Sequence, residues 1–292
     1  MPRREVAAGV EGDGAHGIVD HRLERSDVTV RLMQMNPDGF NCSNDKKGAV
    51  AEQILMRAAA HKVHYLVITE LHRPEPERLR VLLNFYGFTR AVYAPRVGED
   101  ETDRVHGGVA ILIHKDAPCK IVAVGCGEER DACTDTSIEF PRGGDHVCVA
   151  GRALVNDDDV CCGEFVTVEM LHDDQPFTLR AAYVRPMQPM TAALWDTLLR
   201  GADVVAGDFN AVHSTWCSKA TITKGAQSGA FYRGLELNKA LSRNGCRVLK
   251  LTSTAAGEQR DCTHTAVEAT NAKVEGSTID LFIVRRSSMA SE

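Results

Sequence analysis

Short apolar runs that stop at a polar or acidic residue recur along this chain, and they constrain its fold more than any other feature. His64-Tyr65-Leu66-Val67-Ile68-Thr69-Glu70 has strand length and ends in a carboxylate. Val28, Val30 and Leu32 alternate with polar residues, the period of a half-buried strand, and lead to the turn signal Asn36-Pro37-Asp38-Gly39. Residues 178–184, 203–206 and 279–284 repeat the theme. The second of these runs into Gly207-Asp208-Phe209-Asn210, and the third carries Asp280. Residues 108–113, 120–124, 165–168 and 248–251 are further strand candidates. Helical stripes lie between the strands. Val50, Ile54, Leu55 and Ala58 share one face behind a cap at Asn44 or Asp45, and Leu79, Leu82, Leu83 and Tyr86 share another that stops at Gly87. Leu194, Trp195, Leu198 and Leu199 mark a short helix, and residues 230–243 a longer one. Strands that alternate with helices, with extra hairpin-like strands in the middle, predict a layered α/β protein with mixed sheets. In such layers, sites form at strand ends.

The rest of the composition narrows the class. At 292 residues, with 43% hydrophobic and 25% charged residues, the chain can bury a useful core and is not a disordered, collagenous or coiled-coil sequence. Its net charge of −6 excludes holding nucleic acid by bulk charge, so any such contact needs a local patch. There is no signal-peptide core and no apolar run of membrane-spanning length, so the chain reads as soluble and not secreted. Residues 1–26 are polar and Gly-rich without period and read as a flexible leader. Residues 27–292 read as one domain. The ten cysteines include no C-x-x-C pair, and the acceptable zinc spacings are missing, so they read as reduced thiols. Asp157-Asp158-Asp159 reads as a solvated turn.

Five places put a polar group at the end of an apolar run: Asn36 with Asp38, Glu70, Tyr183, Asp208 with Asn210, and Asp280. Singly, each has an ordinary role in a turn or a strand terminus. Together, carboxylates and amides converging at strand ends make a hard-oxygen site suited to Mg²⁺ or Mn²⁺. Cleaving a phosphodiester requires neutralised charge on the phosphoryl oxygens, a deprotonated water aimed in line, and a stabilised leaving oxygen. Carboxylates can hold the cation and take the proton, while Asn and Tyr orient water and phosphate without adding negative charge.

These residues resemble the endonuclease/exonuclease/phosphatase superfamily, and most closely the endonuclease domain of LINE-type, non-LTR retrotransposons. Gly207-Asp208-Phe209-Asn210-Ala211-Val212-His213-Ser214-Thr215-Trp216 is similar to that family's G-D-F-N-A-H-H-x-x-W tract. Met35-Asn36-Pro37-Asp38-Gly39 is similar to its N-x-D/N-G turn, and Glu70 stands where its metal-binding Glu stands. His106-Gly107-Gly108-Val109-Ala110-Ile111-Leu112 resembles its R-G-G-V-A-I-L strand, and Ala182-Tyr183-Val184-x-Pro186 its tract with a phosphate-contacting Tyr. Thr263 and Ser277-x-x-Asp280-Leu281 match its Thr and S-x-x-D-L positions. The resemblance runs from about Val28 to Val284. It implies a four-layer sandwich of two mixed sheets flanked by helices. It also implies Mg²⁺ (or Mn²⁺) on Glu70 with help from Asp38. Asp208 would act on the attacking water or leaving group. Tyr183, Asn210 and Asp280 would serve the reaction, with Asn36, His213, Thr263 and Ser277 orienting substrate. The implied activity is nicking of DNA to leave a 3′-hydroxyl that primes reverse transcription. The implied setting is nuclear, with DNA and the reverse transcriptase region of the same element as partners and no membrane.

The chain departs from the pattern in three places. Thr69 precedes Glu70 where Gln is usual, and Val212 replaces a His. Only twelve residues follow Asp280, without the family's Ser-Asp-His tract and its last strand, so the domain reads as C-terminally truncated with an open sheet edge. A positioned general base contributes on the order of 10²–10⁴ in rate. The alternatives are therefore a repair nuclease of the abasic-site type and a catalytically weak remnant. His213 is the one nearby imidazole that can stand in as base.

Overall fold

The computed structural model describes residues 17–22, 29–37, 45–71, 76–94, 108–125, 146–149, 152–172, 174–217, 229–249, 264–265, 276–277 and 280–285. The first sheet holds β1 (Gly17–Arg22), β2 (Thr29–Met35), β3 (Tyr65–Thr69), β4 (Phe88–Ala94), β5 (Val109–His114) and β7 (His146–Val149), in the order β1-β2-β3-β5-β4-β7. The second holds β6 (Lys120–Gly125), β8 (Arg152–Val155), β9 (Cys161–His172), β10 (Gln175–Val184), β11 (Val204–Asp208), β12 (Cys246–Val248) and β15 (Asp280–Arg285). Its order is β12-β15-β11-β10-β9-β6, with β8 on the free half of the β9 edge. Both sheets are mixed. β2 runs parallel to β3, and β10 parallel to β11, within otherwise largely antiparallel ladders. A separate two-stranded ladder joins β13 (His264–Thr265) to β14 (Gly276–Ser277).

Strand alternation sorts the side chains into three cores. Val30, Leu32, Tyr65 and Val67 of the first sheet meet Val166, Phe177, Leu179, Ala181, Val204, Ala206 and Phe282 of the second, so the sheets pack face to face. The opposite parity of the first sheet, with Met33, Leu66 and Ile68, packs under α1 (Asp45–Ala60) and α2 (Pro76–Phe85). The opposite parity of the second, with Ala182, Val205 and Ile283, packs under α3 (Ala192–Leu199) and α4 (Gly229–Arg243). The layers are helix, sheet, sheet, helix, as the sequence reading expects. Each central strand is apolar on both faces because each sheet is covered on both sides.

The details differ from the sequence reading in several places. Gly17–Arg22, assigned to the flexible leader, is an antiparallel edge strand on β2. An edge strand needs only one row of backbone hydrogen bonds, so it leaves little side-chain period to read. Val50 is 40% exposed and Ala51 takes its place in the core of α1. β12 begins at Cys246 rather than near Val248 and covers β15 along three register pairs, so the edge beyond β15 is partly closed. Asp157-Asp158-Asp159 lies in the exposed turn between β8 and β9. There Asn156 Oδ1 accepts from the backbone N–H groups of Asp158 and Val160, as expected of a solvated turn. Among the described residues Cys119, Cys161, Cys162, Cys217 and Cys246 form no disulfide, in line with the reduced reading. No described helix is long and apolar enough to cross a membrane.

Candidate active site

The sheets bring four strand ends together. β2 and β3 of one sheet and β10 and β11 of the other all end at the same rim, followed by Asn36, by Glu70, by the Val184–Arg185 turn and by Phe209-Asn210. Tyr183 shares the parity of Leu179 and Ala181, and Asp208 that of Val204 and Ala206, so both belong to the face turned to the other sheet. They are direct register partners, and Asp280 sits opposite Asp208 on its other side in β15.

Hydrogen bonds tie the ends into two neighbouring groups. Asn36 donates from Nδ2 to Asp208 Oδ2 at 2.8 Å. The Asn210 backbone N–H donates to Asp208 Oδ1 at 2.9 Å, and its Nδ2 donates to the Val184 carbonyl at 2.9 Å. The Tyr183 hydroxyl donates to Glu70 Oε1 at 3.2 Å. Asp208 is buried, whereas Glu70, Asn36 and Asn210 are half-buried and reach the rim. The Tyr183 hydroxyl is held well above its ordinary value near 10 by burial, then by the charges of Glu70 and Asp208 and by its bond to Glu70. It therefore keeps its proton at neutral pH and acts as a donor.

Local backbone strain marks the same positions. Glu70 has φ +51° and Asn210 φ +45°. For Asn this is tolerable, but for Glu the left-handed region costs roughly 1–2 kcal/mol. The strain turns the Glu70 side chain out of the strand and toward Tyr183. A Cβ on Gly207, next to Asp208, would lie 1.9 Å from the Ala182 carbonyl oxygen. One on Gly163, across from Val184, would lie 2.2 Å from the Tyr183 carbonyl oxygen. Close backbone approach on both sides of β10 requires those two glycines.

Two supports were not foreseen from the sequence. Arg233 of α4 is buried and donates from Nε to the Asn210 carbonyl at 2.9 Å, which pins the turn after Asp208. Burial lowers its guanidinium below its ordinary value, and the Asp208 charge opposes that. Glu164, the register partner of Tyr183, is fully buried and pairs with Arg185 at 2.7 Å. The signals were present but faint: Glu164 stands next to the apolar run 165–168, and Arg185 fills the open position of the Tyr183-Val184-x-Pro186 tract.

The remaining expected site residues divide as follows. His213 lies in the turn after Asn210, its ring tilted against that of Trp216 with centroids 5.0 Å apart. Its Nδ1 accepts from the Thr215 backbone N–H at 3.2 Å, and burial holds it below its ordinary value. A lowered value favours the uncharged imidazole, and Thr215 occupies its Nδ1 through both its backbone N–H and its hydroxyl. Ser277 lies in β14, paired with His264 in the separate ladder rather than in either main sheet. Asp38 and Thr263 lie outside the described residues. Among the described residues, no three His, Cys, Asp or Glu side chains form a group that could hold a metal ion. The described donors around the site are oxygens and amides.

No family model and no curated protein matches the sequence. Solved structures do. The human Nocturnin catalytic domain with bound sulfate anion superposes with a TM-score of 0.54 at 13% identity, covering 93% of this chain and 85% of that one. An endonuclease/exonuclease/phosphatase family protein from Leptotrichia buccalis C-1013-b gives a TM-score of 0.52 at 11% identity, covering 87% of each chain. The chain has the endonuclease/exonuclease/phosphatase fold. Within that fold, the rim that carries Asn36, Glu70, Tyr183, Asp208 and Asn210 lies at the carboxyl ends of the parallel strand pairs, where layered α/β sheets place ligands.

Proposed function

We propose that this chain is a divalent-cation-dependent phosphodiester hydrolase that nicks DNA, of the type carried by non-LTR retrotransposons. The observation that carries the reading is the juxtaposition of two hydrogen-bonded groups drawn from both sheets, Asn36–Asp208–Asn210 and Tyr183–Glu70, brought side by side by the register pair Tyr183 and Asp208. The long Asp208-Phe209-Asn210 tract supports the retrotransposon assignment. The bound sulfate of the Nocturnin domain supports a tetrahedral anion as ligand of this fold.

Glu70, with the neutral amide of Asn36 on the same rim, is the residue that would hold Mg²⁺ or Mn²⁺, with Asp38 as its expected helper. Such a cation takes one or two carboxylates and keeps several waters, so it does not require three protein acids. When bound, it supplies charge neutralisation at the phosphoryl oxygens and lowers the pKa of water. Asp208 accepts from Asn36 on Oδ2 and from the Asn210 backbone N–H on Oδ1, which holds its carboxylate in place to orient a water and take its proton. Asn210 is fixed by its bond to Val184 and by Arg233, so it presents a neutral amide to the phosphate. Tyr183 remains protonated and donates to the negative charge in front of it. The product is a nick with a 3′-hydroxyl, suited to priming by the reverse transcriptase region of the same element in the nucleus.

The test is nicking of supercoiled plasmid with Mg²⁺, with Mn²⁺ and with EDTA. Nicking that needs the cation and drops by about 10² or more in Glu70→Gln supports the proposal. Equal nicking by Glu70→Gln points to a contaminant. An oligonucleotide with one abasic site, compared with its intact copy, separates a repair-type nuclease from a general one. Failure on both substrates leaves the weak-remnant reading.

A further inference from the structure

We propose that Arg185, anchored by the buried carboxylate of Glu164, is a second phosphate-binding point beside the reacting centre that grips the nucleic-acid backbone; this rests on the phosphodiesterase reading above. Glu164 is the antiparallel register partner of Tyr183, and its side chain is 0% exposed. A carboxylate sealed in a sheet is strongly unfavourable unless a cation meets it. Arg185 meets it: Nη2 donates to Glu164 Oε1 at 2.7 Å, while the Arg185 side chain keeps 20% exposure. The Cys161 thiol donates to the same oxygen at 3.9 Å. One end of the pair is therefore fixed inside the sheet and the other reaches solvent.

Placement brings this guanidinium to the site. Arg185 follows Tyr183 by two residues. Its backbone N–H still donates to the Cys162 carbonyl at 2.8 Å, which extends the β9–β10 ladder by one step and gives Arg185 the strand parity of Tyr183. Tyr183 lies within electrostatic reach of Glu164 as well as of Glu70 and Asp208, and Arg185 within that of Tyr183. The turn that follows contains Pro186 and Pro189, which restrict its backbone and so the exit from Arg185.

The chemistry selects a phosphate. Glu70 and Asp208 beside Tyr183 repel a polyanion, and a guanidinium held at the rim offsets that repulsion where a neighbouring, non-reacting phosphate of the strand would pass. Guanidinium presents five N–H donors in a plane that matches phosphate oxygens, and anchoring by Glu164 removes the side-chain freedom that would otherwise be lost on binding. Glu164 acts through Arg185 and is a positioning residue.

The experiment measures binding without cleavage. Anisotropy of a fluorescein-labelled DNA duplex is followed in EDTA between about 50 and 200 mM NaCl. The proteins are wild type, the double variant Glu164→Gln/Arg185→Gln, and Met187→Ala. The double variant keeps the net charge at −6 and removes both members of the buried pair together, so bulk steering is constant and no lone buried charge remains. Met187, 86% exposed on the same turn, controls for disturbance of the turn itself. The expected result is several-fold weaker binding and a log–log salt slope shallower by about 0.9 in the double variant, with the wild-type slope in Met187→Ala. An unchanged slope in the double variant overturns the inference. If that variant does not fold by circular dichroism, Arg185→Lys decides: charge kept and fork lost predicts weaker binding at the wild-type slope, and wild-type affinity overturns the inference. Nicking by the same proteins separates the two readings. Wild type that binds through Arg185 but does not nick fails as a hydrolase only. Wild type that nicks with a slope insensitive to the pair fails the inference only.

Discussion

Asn36 donates from Nδ2 to Asp208 Oδ2 across 2.8 Å, joining the end of β2 in one sheet to the end of β11 in the other. The two residues are 172 positions apart in sequence. The bond closes the rim between the sheets with an amide where a second acid would add repulsion.

Asn36→Asp places two carboxylates in that contact. Paired acids in one site cannot both ionise without cost. The variant should nick more slowly than Asn36→Ala at pH 7.5. Its melting temperature should fall relative to wild type as pH rises from about 4 to 8, because the aspartate's proton is held more tightly in the folded state. Thermal melts across that range, beside plasmid nicking, read both effects. A variant with wild-type melting at every pH would show that the contact does not form.

Tyr183→Phe removes the donor to Glu70 and leaves the packed ring. Nicking should fall by about 10- to 100-fold with a melting temperature within a few degrees of wild type, in keeping with loss of one hydrogen bond to a charged group. Tyr183 and Tyr65 are both raised above 10, each chiefly by burial. A group raised in the folded state contributes stability that is present below its unfolded value and lost above it. Wild type should therefore lose stability as pH climbs past about 10, and Tyr183→Phe should lose less, as measured by urea denaturation at pH 9 and 11.

His213 Nδ1 is engaged by Thr215, and burial holds the imidazole below its ordinary value. His213→Ala should then leave the acid limb of the pH–rate profile where it is and act mainly through substrate affinity. An acid limb that disappears in the variant would assign the base to His213 after all.

Gly207→Ala sets a methyl group 1.9 Å from the Ala182 carbonyl oxygen and forces β10 and β11 apart. The expected outcome is a loss of several degrees in melting temperature together with activity, since Tyr183 and Asp208 are register partners of that ladder. Gly201→Ala is the control for backbone strain without a clash: a Cβ there meets nothing within 4 Å, its φ of +77° costs about 1–2 kcal/mol, and Gly207→Ala should melt lower than it does. Equal melting of the two variants would remove the close-approach argument.

Much of this architecture was legible in the order of residues. The apolar runs through 64–70 and 178–184, and the helical stripes under Leu55 and Trp195, follow from the need to bury one face or both of each element. β1, β4, β7 and β8 were not foreseen and β12 was placed two residues late; the short edge strands among them are held by backbone bonds that leave no periodic imprint. Val50 was misplaced because a helix stripe fixes its face only to within one neighbouring position.

The sequence by itself determined which oxygen and amide groups stand at the ends of apolar runs, because a strand must stop where its burial stops. Only the tertiary structure decided which of those ends share a rim. Asn36 meets Asp208, Tyr183 meets Glu70, and Glu164 anchors Arg185 because β2, β3, β10 and β11 are brought together by parallel pairing and by the packing of one sheet on the other. Those contacts are set by ladder register and sheet packing, which depend on all the strands at once and leave no local mark at the residues they join.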